Sequence, residues 1–235
     1  MSTIEGIKNV VLVHGAFADG SGWRGVYENL TGRGYTVAIV QNPLTSFEDD
    51  VAATKRVLDK QDGPTILVGH SWGGTVITEA GSHDNVVGLI YVAALIPDSG
   101  ETSGQQYDGF AATPEFVIDI DDEGFGYLNR DKFTVGFAAD ASAADAAFLR
   151  DSQVPVNMAV FGAAVGTAAW RDKPSWAVIA TEDNAFDQAM LQHMAHRAGA
   201  EVTTTPGSHA VYLTQPGVVS DVIVAAAENA LTRAV

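Results

Sequence analysis

Short runs of β-branched and aliphatic residues recur along the chain, separated by stretches in which apolar positions return every three or four residues. Six runs read as strands: Asn9–His14, Tyr35–Val40, Thr65–Gly69, Val86–Leu95, Ser175–Thr181 and Glu201–Thr205. Most are continuously apolar rather than alternating, which is the pattern of parallel strands covered on both faces. The intervening segments "GWRGVYENLTGRG", "FEDDVAATKRVLDKQDGP" and "FDQAMLQHMAHRAGA" carry helical spacing and end in glycine, and a last helix starts at Pro216. In the second helix Val51, Thr54 or Lys55, and Leu58 share a face; in the third, Phe186, Met190, Met194 and Arg197 do. Strands alternating with helices predict an α/β fold with a doubly wound, mostly parallel six-stranded sheet.

The alternation breaks once. Between Pro97 and Pro174 no strong strand pattern occurs. A Gly/Ser/Asp-rich stretch, four acids (Asp119, Asp121, Asp122, Glu123) and Ala-rich helical sequence around Asp140–Arg150 and Pro155–Trp170 fill the gap. This is too long for a connecting loop. The expected organisation is a core of residues 1–96 and 175–235, with 97–174 inserted as a mostly helical cap over a small-molecule pocket.

Composition narrows the partners. The 235 residues carry a formal charge of −16, with no cysteine. No basic stripe exists for a nucleic acid, and thiolate chemistry and disulfides are excluded. A neutral or cationic small substrate is expected. The N-terminal "MSTIEGIKNVVLVHG" lacks the basic and long apolar parts of a signal peptide, and no stretch is apolar enough to span a membrane, so a soluble, cytoplasmic protein is expected. The pattern leaves the oligomeric state open, a homodimer included.

One motif carries chemistry. "GHSWGG" follows the third strand and opens a helix, so Ser71 lies in the Gly-x-Ser-x-Gly turn called the nucleophile elbow. Gly69 and Gly73 admit the sharp turn, and the N–H of Trp72 points beside the serine. A serine needs a base and the base an orienting acid, in the chain order Ser, Asp or Glu, His. His209, in the "TPGSHAVYL" loop after the sixth strand, is the base candidate; His193 and His196 read as a helix surface. Asp183, just past the fifth strand, is the acid candidate, with Glu182, Asp187 and Asp98 as alternatives. In "HGAFADGSGW" the N–H of Ala16, rather than that of Phe17, completes an oxyanion hole; Phe17 and Trp72 edge the pocket, and His14 holds the loop. Gly20-x-Gly22-x-x-Gly25 begins too far past its strand for a dinucleotide site. No metal or cofactor is expected.

The stretches "VLVHGAF…GSGW", "GHSWGG" and "SHAVYLTQP" resemble the α/β-hydrolase superfamily, in the branch that holds plant methylesterases, hydroxynitrile lyases and small bacterial carboxylesterases. The resemblance covers nearly the whole chain outside the cap. It implies Ser71 as nucleophile, His209 as base, Asp183 as acid, and Ala16 with Trp72 as oxyanion donors. Hydroxynitrile lyases of this branch carry threonine after the first-strand histidine and lysine after the catalytic one, where this chain has Gly15 and Ala210. Hydrolysis of a small carboxylic ester is therefore the expected activity. A small-ligand receptor with little turnover, a lyase or a perhydrolase on the same residues are the alternatives.

Overall fold

The computed structural model describes residues 6–233, so positions 1–5 and 234–235 of the expected core lie outside the described residues. The chain runs β1 (Asn9–Val13), α1 (Arg24–Gly32), β2 (Thr36–Val40), α2 (Phe47–Leu58), β3 (Thr65–His70), α3 (Trp72–Ala80) and β4 (Val86–Val92). After the insertion it resumes with β8 (Ser175–Ala180), α6 (Gln188–Arg197), β9 (Glu201–Thr205), α7 (Val211–Thr214) and α8 (Pro216–Arg233). The six strands form one parallel sheet in the order β2-β1-β3-β4-β8-β9.

The sheet interior explains the continuous apolar runs. Every residue of β3 and β8 is buried, whereas the edge strands β2 and β9 are partly open. Helices α1 and α8 pack together, as do α2 and α3, so each face of the sheet has its cover. The order reverses at β1, with β2 on one side and β3 on the other. The loops leaving β1 and β3 diverge there and open the crevice where α/β folds place their ligands.

Two expectations at this level are corrected. The fourth strand stops at Val92, because Ala93 takes φ 42° and turns the chain out of the sheet before Leu95. The insertion does contain helices, α4 (Phe133–Phe137) and α5 (Ala143–Asp151), but residues 155–170 are not a helix. They hold a strand and two short 3-10 turns. That strand, β7 (Val156–Asn157), joins β5 (Ile118–Ile120) and β6 (Phe125–Leu128) in a small antiparallel sheet. Of the acidic run, Asp119 lies in β5 and the other three acids form the β5–β6 turn: Asp121 accepts hydrogen bonds from the N–H groups of Glu123 and Phe125, and Gly124 supplies φ 84°. Among the described residues no helix is long and apolar enough to cross a membrane.

Candidate active site

β3 ends at His70, α3 begins at Trp72, and Ser71 between them adopts φ 53°, ψ −121°. A non-glycine residue takes such a conformation only where its surroundings enforce it. They do so by hydrogen bonding: Ser71 N–H donates to the Val92 carbonyl (3.2 Å), and its own carbonyl accepts from Gly74 (2.9 Å) and Leu95 (3.2 Å). The turn is also sterically closed. A β-carbon on Gly69 would lie 2.4 Å from the Gly73 carbonyl oxygen, and one on Gly74 would lie 2.2 Å from that of Leu95.

The three residues singled out for chemistry meet at this turn. Ser71 Oγ is 2.8 Å from His209 Nε2, and His209 Nδ1 is 2.8 Å from Asp183 Oδ2. Asp183 Oδ1 accepts the N–H groups of Ala185 (2.7 Å) and Phe186 (3.0 Å), which aims the other oxygen at the imidazole. The side chains of His209 and Asp183 have no exposed surface. With Nδ1–H donating a hydrogen bond to the Asp183 carboxylate, Nε2 is left as an acceptor for the serine hydroxyl.

The alternatives for the acid have other partners. Asp187 caps α6, accepting the Met190 N–H at 3.1 Å. Asp98 lies six residues past the end of β4 and is paired with Arg171. Glu182 is exposed and contributes only its backbone N–H, to the Gly207 carbonyl. His193 and His196 both lie on α6, where the His193 ring packs on Phe110.

The loop carrying His209 is held by the insertion. Asp140 Oδ1 accepts the Ser208 N–H (3.1 Å), and the Phe137 carbonyl accepts that of Ala210 (2.9 Å). On the other side the loop after β1 brings Ala16 and Phe17, the latter at φ 62°, to the same cavity as Ser71 and Trp72. His14 anchors that loop. Its Nε2 accepts the Asn42 N–H (2.9 Å), its carbonyl accepts the Asn42 side-chain amide (2.9 Å), and burial lowers its pKa, keeping it neutral. The false dinucleotide motif is a packing feature: Gly22 lies under the Tyr212 ring, which would be 2.4 Å from an added β-carbon.

The cavity is about 310 Å³ in volume. Its walls include Phe17, Trp72 and Leu95 from the core and Phe116, Met158 and Phe161 from the insertion, with Tyr107 and Thr113 as polar residues.

Sequence reasoning missed two residues here. His70 is fully buried, its Nε2 2.9 Å from the His209 carbonyl oxygen and its ring 4.2 Å from that of Tyr212. Burial, reinforced by His209, holds its pKa well below 6.5, so the neutral ring donates from Nε2 to that carbonyl. Asp50 is the second, a fully buried carboxylate bonded to the Trp72 indole. In a sequence, an acid at the fourth position of a helix has a ready explanation as a dipole complement, so nothing there marks Asp50 out.

Residues 10–222 match the alpha/beta hydrolase family. A pyrethroid hydrolase from Sphingobium wenxiniae is 30% identical over 109 residues, covering 41% of this chain and 39% of that protein's length. Among solved structures, a pyrethroid hydrolase from Sphingobium faniae JZ-2 superposes with a TM-score of 0.80 at 23% identity, covering 94% of this chain and 97% of the other. The methylesterase protein MES16 from Arabidopsis superposes at 0.77 with 18% identity, covering 93% and 98%. With a match spanning nearly the whole sheet and both loops that meet at Ser71, the chain belongs to the alpha/beta hydrolase family.

Proposed function

We propose that the protein is a serine hydrolase that cleaves small carboxylic esters through an acyl-enzyme. The observation that carries this reading is the unbroken hydrogen-bonded series Ser71–His209–Asp183, with both links at 2.8 Å, opening on an apolar cavity. His209 Nε2 takes the serine proton as Oγ attacks the ester carbonyl, and Asp183 stabilises the imidazolium that forms. The carbonyl oxygen becomes an oxyanion received by the N–H groups of Ala16 and Trp72. As the tetrahedral intermediate collapses, the ester C–O bond breaks and His209 returns the proton to the departing alcohol. Water then attacks the acyl carbonyl with His209 again as base, releasing the acid and restoring Ser71.

The aromatic and aliphatic walls favour an uncharged substrate, because a charge enclosed among them would lose its hydration without replacement. In this reading residues 97–174 form a cap over the core of 1–96 and 175–235, and Phe17 is a substrate contact. The named activities of the similar hydrolases and esterases agree with it.

Ser71→Ala tests the assignment. The wild type is expected to hydrolyse p-nitrophenyl butyrate and to be labelled stoichiometrically by a fluorophosphonate, and the variant to lose at least about 10³-fold in kcat and all labelling. Wild-type turnover in the variant would overturn the reading. Labelling without turnover in the wild type would favour a ligand receptor instead.

A further inference from the structure

Asp50 lies on α2 with no exposed surface. Its Oδ2 accepts the Trp72 indole N–H (2.8 Å) and its Oδ1 the backbone N–H of Leu44 (2.8 Å). Both donors are neutral, so the carboxylate is buried at a cost that no paired cation offsets. The helix does not need it: Ser46 caps α2, and Glu48 and Asp49 already place exposed acids in its first turn.

We infer that Asp50 is a positioning residue that fixes both loops supplying the oxyanion donors. This rests on the ester-hydrolase reading and goes one step beyond it. On the elbow side, the indole is clamped by Asp50, by Phe47 (ring centroids 5.8 Å) and by Phe161 (5.3 Å). The same residue's backbone N–H follows the strained serine directly. Locking the side chain therefore restricts how far the N–H can swing.

On the other side, Asp50 holds Leu44 in its left-handed conformation, φ 59°. Two residues earlier, Asn42 donates both its N–H and its side-chain amide to His14, which precedes Gly15 and Ala16. The Leu44 carbonyl in turn accepts the Asn157 N–H (2.9 Å), next to Met158 in the cavity wall. One carboxylate thus ties together the elbow, the loop after β1 and the insertion. An asparagine of the same size can accept from only one of the two donors and turns an N–H toward the other.

The test uses Asp50→Asn and Trp72→Phe, with Asp49→Asn as an exposed control and active enzyme counted by fluorophosphonate titration. Removing one oxyanion donor outright costs about 10²–10³ in kcat, so a displaced donor is expected to cost about tenfold, with KM within about threefold. Affinity for phenylboronic acid, whose tetrahedral adduct on Ser71 places an oxygen among the same donors, should fall in step with kcat/KM. The double variant should lose less than the two single losses combined, since both changes act on the one bond between residues 50 and 72, and the control should match the wild type. If Asp50→Asn does not fold, Trp72→Phe alone carries the comparison. A kcat per titrated site within about twofold of wild type, or a loss confined to KM, overturns the inference while leaving the hydrolase reading standing. Hydrolysis that survives Ser71→Ala overturns both.

Discussion

Ser71 at φ 53° stores strain of order 1–3 kcal/mol, and groups close to it carry folding costs of their own. Asp50 shows this most clearly, because its own ionisation opposes folding. Burial pushes its carboxyl from 3.8 up to about 6, against the lowering effect of its hydrogen bonds from Trp72 and Leu44. The folded chain therefore holds a proton there between about pH 6 and 3.8 that the unfolded chain does not. The stability contributed by this protonated form is fully present below pH 3.8 and lost as pH rises through 6. The buried histidines work the other way: His14 and His70 have lowered pKa values, so their contribution is present above 6.5 and lost as pH falls. Comparing wild type with Asp50→Asn cancels the histidines. The difference in melting temperature is expected to move in favour of the wild type as pH drops from 7 to about 4.5. A difference that is flat with pH, measured by differential scanning calorimetry, would show that Asp50 does not titrate in this window. Such residues are hard to read in a sequence because their meaning is tertiary. Ser71, His209 and Asp183 could be picked out by motif and chain order, whereas Asp50 reaches the elbow through an indole 22 positions away, and His70 bonds a carbonyl 139 positions away.

Among elements, the parallel strands and the helices between them were legible because each is buried on a whole face and must repeat its apolar period. The insertion was not. Its strands are two to four residues long, too short for alternation to register, and its small sheet forms only when residues 118–128 meet Val156 and Asn157. Yet this segment hydrogen-bonds the loop that carries His209. Asp140 and Phe137 take the N–H groups on either side of His209, and hydrogen bonding from Ser208 holds the Asp140 carboxyl below its usual pKa against its burial. Asp140→Ala is expected to lower stability by about 1–2 kcal/mol and kcat several-fold, because His209 then samples positions out of reach of Ser71. Asp140→Asn keeps an acceptor for Ser208 and should recover most of the rate. Equal kcat in wild type and Asp140→Ala would show that the insertion is not needed to steady this loop.

For the molecule as a whole, two effects act against an anionic substrate, and they differ in their response to salt. The chain carries −16 in formal charge, a field that extends over the surface and repels an approaching anion, and that ions screen within roughly 10 Å at 0.1 M. The cavity walls add a local cost: the carboxylate of a substrate would be stripped of water beside Phe17, Phe116, Met158 and Phe161, at separations too short for salt to intervene. A neutral p-nitrophenyl butyrate and an aryl hemisuccinate of similar size separate the two. As ionic strength rises from about 10 to 300 mM at fixed pH, kcat/KM for the neutral ester should stay constant, while that for the anionic ester rises several-fold and then levels off below the neutral value. The rise measures the global field, and the gap left at high salt measures the cavity. Equal rates for the two esters at every salt concentration would mean that neither the surface charge nor the apolar wall governs which esters reach Ser71.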